Sequence, residues 1–174
     1  MENNVASNDR LNVQDFDKPE MPSGLNVVTI LTIIGCVIQF FISIFSYFSA
    51  KTTFENKDET LAKINSGNMP AFMKSLMGDM SHFDEMVTNS FNNRLPILIF
   101  SLVATILCLV GVIQMRALKN QGYLLYIIGE LLPFVSLIAF IGTFSLAGTG
   151  FYVGFGIALL FIIIYTSYRK NLVY

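Results

Sequence analysis

The chain has 174 residues, of which 53% are hydrophobic and only 13% charged, with a net charge of −1 and a mean hydropathy of +0.60. A soluble domain carries about 25% charged residues, so this composition cannot clothe a water-facing surface. A charge so close to zero also supplies no basic field for nucleic acid, and that class of partner is excluded.

The placement of the charges sharpens the class. No Asp, Glu, Lys or Arg occurs in residues 25–50, in 95–115 or, Glu130 excepted, in 120–168, blocks that hold 96 of the 174 residues. About 20 apolar residues cross a bilayer as a helix, so the first two blocks are one span each and the third is two. The expected fold is all-α, an integral membrane four-helix bundle of antiparallel transmembrane helices with a long helical loop between helices 1 and 2.

Residues 1–24 read as a disordered polar tail, Asn/Asp-rich and broken by Pro19, Pro22 and Gly24. Its acidic character and the length of the apolar stretch after it do not fit a cleaved secretory signal. Helix 1 occupies residues 25–50 and is rich in β-branched and aromatic residues. An open sheet edge cannot be satisfied in lipid, so this run is read as a helix. Residues 51–94 form an extracytoplasmic loop with amphipathic helices, the first over 55–65. Helix 2 takes residues 95–115, with Asn92 or Asn93 placed to cap it and Pro96 in its first turn. A cytoplasmic turn over 116–122 leads into helix 3 at 123–144. An outer turn over 145–149 leads into helix 4 at 150–168, and residues 169–174 are a cytoplasmic stub.

Orientation follows from the basic residues of the short loops. Arg116 and Lys119 mark the 2–3 turn, Arg169 and Lys170 the C-terminal stub, and the 3–4 turn has none. Both termini are therefore expected in the cytoplasm. The absence of cysteine and tryptophan in the long loop, and of any N-x-Ser/Thr sequon, points to a bacterial plasma membrane. Cys36 and Cys108 fall inside spans and read as buried small hydrophobes.

The loop holds eleven of the twenty-three charged residues. Within it Met69, Phe72, Met73, Leu76, Met77, Met80 and Phe83 recur at three- and four-residue spacing, the pattern of an amphipathic helix. Methionines beside the only histidine, His82, invite a copper(I) reading. Phe and Leu share the stripe, however, and Met serves as filler in adaptable apolar surfaces. A partner-docking face is therefore expected, with neither metal nor cofactor.

Glu130 is the one ionisable residue inside a span, about 12 Å from the start of helix 3 at 1.5 Å per residue. Such a carboxylate is costly in lipid and faces the bundle interior. Tyr123, Tyr126, Glu130 and Pro133 fall within about 80° of one face, which makes them an intramembrane polar site. By depth, Thr32, Thr105 and Tyr165 are placed to add hydrogen bonds, whereas Gln39 lies nearer the outer face and is not expected to touch Glu130. Gly150, Gly154 and Ala158 form a small-xxx-small stripe suited to close helix packing or self-association.

No nucleophile–base pair, metal cluster or phosphate loop can be assembled, so an enzyme is not expected. The leading expectation is a non-enzymatic accessory or scaffolding subunit of a membrane protein assembly. Its partners would be the bilayer and either other membrane subunits or further copies of itself. The alternative is a small oligomeric proton- or cation-coupled transporter that uses Glu130.

Overall fold

The computed structural model describes residues 21–66, 70, 72 and 80–172. Within them the chain is all-helical, and four of its helices are long and apolar enough to cross a membrane. These are α1 (Ser23–Glu55), α4 (Arg94–Arg116), α5 (Gln121–Phe140) and α6 (Thr149–Tyr168). Two shorter helices, α2 (Lys57–Asn65) and α3 (Phe83–Asn92), belong to the connection between α1 and α4. Met69, Met73, Leu76 and Met77 of the expected docking face lie outside the described residues.

At 33 residues α1 is about 50 Å long, well beyond a hydrocarbon core of about 30 Å. It therefore runs on past residue 50, carrying Lys51 and Glu55 in its last turns. α5 stops at Phe140, earlier than the expected 144. Gly142 adopts φ 123°, a conformation that side chains resist. The chain then tightens into a 3-10 turn over Thr143–Ala147.

The tightest packing joins α4 to α5. A Cβ on Gly111 would lie 2.7 Å from the Gly122 carbonyl oxygen, and one on Gly122 would collide with the carbonyl oxygen of Gly111. A Cβ on Gly129 would meet the Cys108 nitrogen and Sγ at 2.7 Å each. Gly122, Gly129 and the buried Ser136 are seven residues apart, opposite Ala104, Cys108 and Gly111. The two backbones meet along this seam because nothing larger stands between them. The turn between them places Leu118 at φ 56°. The Leu118 amide donates to the Met115 carbonyl and the Lys119 amide to that of Gln114, closing the end of α4 as a Schellman motif.

The start of α1 lies with the ends of α4 and α6, which defines a termini end. Gly24 abuts the Tyr168 ring. Arg116 Nη1 donates to Thr29 Oγ1 at 3.1 Å. Leu25, Val112, Met115, Tyr126 and Tyr165 form one buried cluster there with Leu118 and Tyr123.

The opposite, loop end is held differently. Phe54 of α1 stacks on Phe91 of α3, and Phe83 and Val87 pack against Phe54 and Leu61. The amides of Asn89 and Asn93 donate to the Ile141 and Phe140 carbonyls, at 2.9 and 3.1 Å. They satisfy acceptors that the end of α5 leaves open. Asn93 precedes α4 but makes no side-chain cap on it; its amide is engaged by α5 instead.

Candidate functional site

Glu130 projects from the middle of α5 into a cavity of about 330 Å³ bounded by α1, α4, α5 and α6. Thr32, Cys36 and Gln39 of α1, Thr105 and Cys108 of α4, and Tyr126 and Pro133 of α5 share its wall. Cys108 Sγ lies 3.7 Å from Glu130 Oε2, and the Tyr126 hydroxyl stands beside the same carboxyl. The two cysteines, from different spans, are neighbours with their thiols adjacent and unbonded.

The backbone explains this convergence. Gly129 lets α4 approach so closely that Cys108 reaches α5 one residue before the carboxylate. Pro133, one turn on, cannot donate to the Gly129 carbonyl, which loosens the helix locally. The hydroxyls around the cavity are mostly engaged. Thr32 Oγ1 bonds the Val28 carbonyl at 3.0 Å and the Tyr165 hydroxyl at 2.8 Å. Thr105 donates to the Ser101 carbonyl at 2.8 Å. Among these groups the carboxyl is the strongest acid.

Of the expected polar face, Tyr126, Glu130 and Pro133 meet in this cavity and Tyr123 does not. The Tyr123 hydroxyl pairs with Thr166 Oγ1 at 2.6 Å, and Arg169 covers its ring at 5.4 Å. Gln39 shares the cavity wall with Glu130. On α6, Ala158 is buried, while a Cβ added at Gly154 would find its nearest neighbour, a Phe134 ring atom, 4.0 Å away. Gly150 lines a second cavity. The stripe is therefore not where backbones touch.

Of the expected docking face, Phe72 is 71% exposed and Phe83 is buried. Met80 opens a 3-10 turn before α3. His82 stacks on Phe144 at 5.2 Å and approaches Glu85 at 3.2 Å. Among the described residues no group of three or more His, Cys, Asp or Glu is arranged to hold a metal.

Sequence reasoning missed a small and polar face of α1, on which Thr32, Cys36 and Ser43 are buried while Gln39, Ser46 and Thr53 are exposed. Thr29, Thr32, Cys36, Gln39, Ser43, Ser46, Ala50 and Thr53 recur at alternating three- and four-residue steps. All from Thr32 to Thr53 line cavities. The signal was present as a heptad of small and polar residues, hidden because an all-apolar average drowns it.

No family model, curated protein or solved structure matches the chain.

Proposed function

We propose that this is a non-enzymatic integral membrane protein, an antiparallel four-helix bundle with both termini in the cytoplasm of a bacterial cell. We further propose that it works as a small proton- or cation-coupled transporter through Glu130. One observation carries the reading: the sole carboxylate of the spans faces a cavity shared by all four long helices. A carboxylate kept for register alone gains nothing from an unfilled space beside it, and intramembrane acids mark ion and substrate pathways. The basic residues of the short connections support the orientation.

The test is proton-coupled flux into liposomes holding wild type or Glu130→Gln. The substitution keeps shape and removes the ionisable group, so flux should fall to the protein-free level. Equal flux in the two would end this reading.

A second reading, the accessory or scaffolding subunit, is favoured by the docked state of the loop. α3 is fastened to α1 and α5 as a cap rather than left as a tether, and Phe72 beside it is exposed. Co-purification of a partner in mild detergent, lost on Met73→Glu plus Met77→Glu, is its expected outcome. A clean monomer indifferent to both substitutions would exclude it.

A further inference from the structure

Two further cavities lie on the loop side of the one at Glu130, and each shares wall residues with it. The outermost, about 490 Å³, lies under α3 and is lined by Ser46, Ser49, Thr53, Ser90 and Ser145 among others. A third, about 260 Å³, lies between α1 and α4 and is lined by Gln39, Ser43, Ser46 and Ser101, with Arg94 at its edge. Ser46 and Ala50 belong to both of these, and Gln39 belongs to the third and to the Glu130 cavity. Phe134 is a wall common to the first and the Glu130 cavity.

From Thr53 to Thr32 the polar face of α1 covers about 32 Å at 1.5 Å per residue, close to a full hydrocarbon thickness. Wherever a cavity is polar and roomy enough, water enters it. These volumes have room for several waters, and although apolar side chains make up most of their walls, hydroxyl oxygens line them at each level. The Arg94 guanidinium is drawn aside over the rings of Tyr47 and Phe91, at 5.5 and 4.8 Å.

The series ends abruptly at Thr32. Its hydroxyl bonds Tyr165, whose ring packs on Tyr126 with centroids 4.6 Å apart. Beyond them Leu25, Thr29, Val112 and Met115 have no exposed surface at all. One end of the bundle carries open clefts and the other is sealed.

We infer that Glu130 is reached by water and small hydrated cations from the loop side, along the polar face of α1, while the Thr32–Tyr165 pair closes the termini side. The structure is thus the loop-side-open state of an access route. This deepens the transport reading and rests on its membrane placement, but access is measured without flux.

A small membrane-impermeant thiosulfonate cation reads the route, with modification scored by intact mass in sealed right-side-out and inside-out vesicles. Ser43→Cys and Thr29→Cys are each made in the Cys36→Ala, Cys108→Ala chain, and wild type reports through its native thiols. Ser43→Cys should be modified from the loop side and not from the termini side, and Thr29→Cys should stay unmodified from the loop side. Adding Ser46→Phe narrows the space that the two outer cavities share at Ser46, so modification of Ser43→Cys should slow by about tenfold or more. Modification of Ser43→Cys from neither side, or equally from both, overturns the inference, as does indifference to Ser46→Phe. Loop-side labelling combined with unchanged Glu130→Gln flux would sustain the route and reject transport. Glu130-dependent flux without loop-side labelling would do the reverse.

Discussion

The two ends of the helix bundle share a composition and differ in density. At the termini end α1, α4, α5 and α6 close on Leu25, Thr29, Val112, Met115, Tyr126 and Tyr165, and hydrogen bonds cross between helices at Thr32–Tyr165, Arg116–Thr29 and Tyr123–Thr166. At the loop end the same helices stand around cavities, and their hydroxyls turn back on their own helix, as Ser43 does to the Gln39 carbonyl at 2.8 Å. Glycine does opposite jobs at different places. Gly111, Gly122 and Gly129 are filled against by a partner's backbone, whereas a Cβ on Gly35 or Gly156 would meet nothing within 4 Å. A small residue in an apolar helix thus permits contact only where a second helix brings a complementary small surface to it. Elsewhere it leaves space, and the space at Gly35 belongs to the cavity that Glu130 faces.

The largest effect should come from exchanging these roles. Gly122→Leu drives a side chain into the backbone of α4, where neither helix can yield without separating. A cost of about 3 kcal/mol or more is expected, at the top of the range for overpacking. Gly35→Leu places the same side chain in the open half and should change stability by less than about 1 kcal/mol. Thermal unfolding midpoints in mild detergent measure both. Similar losses at the two positions would mean that the ends do not differ in density after all.

Next in size is a pair of hydroxyl deletions. Thr29→Val leaves Arg116 without its acceptor at a fully buried position, and hydrogen bonds to charged groups contribute about 1.5–3 kcal/mol. Ser43→Ala removes a bond within one helix beside a cavity, so its cost should stay under about 1 kcal/mol. The same midpoints decide the matter, and the contrast fails if Ser43→Ala is the costlier change.

Much of this was legible in the sequence, for physical reasons. Uncharged stretches of this length read as long apolar helices, and a lone carboxylate among them draws attention to itself, as do tyrosines one turn away. The position of Tyr123 was not legible. Residues three apart on a helix share a face, but Tyr123 stands at the helix start, where Thr166 of the neighbouring α6 and Arg169 just after it compete for it. The small-residue stripe of α6 satisfied the spacing rule without the partner surface that gives the rule its force. The seam that does bring backbones together, Gly111 against Gly122, has its two glycines on different helices.

The fastening of the loop end is expected to be weaker than either. Asn93→Ala takes a donor from the Phe140 carbonyl, and one such hydrogen bond contributes about 1 kcal/mol. The loss should be local, seen as faster hydrogen exchange of α3 amides while those of α4 and α5 near Gly122 keep their protection. Equal acceleration at both ends would show that the bundle opens as one unit.

The smallest effect belongs to the ion pairs of the cap. Lys57 Nζ lies 2.5 Å from Asp84 Oδ1 and joins α2 to α3, and that carboxylate holds the amine above its ordinary range. Glu59 is held below the usual carboxylate range by Lys63, at 2.7 Å. A raised amine contributes fully below its unfolded pKa, about 10.4, and its contribution disappears as pH rises through the folded value. A lowered carboxyl contributes above its unfolded pKa, about 4.3, and is lost as pH falls through the folded value. Protection of α2 and α3 against proteolysis should therefore be flat from about pH 5 to about pH 10 and weaken beyond either edge. Asp84→Asn should remove the alkaline edge with little change at neutral pH, because exposed pairs contribute little and salt screens them. A large loss at neutral pH would instead mean that charge, rather than Phe83 against Phe54, holds the cap over the open end.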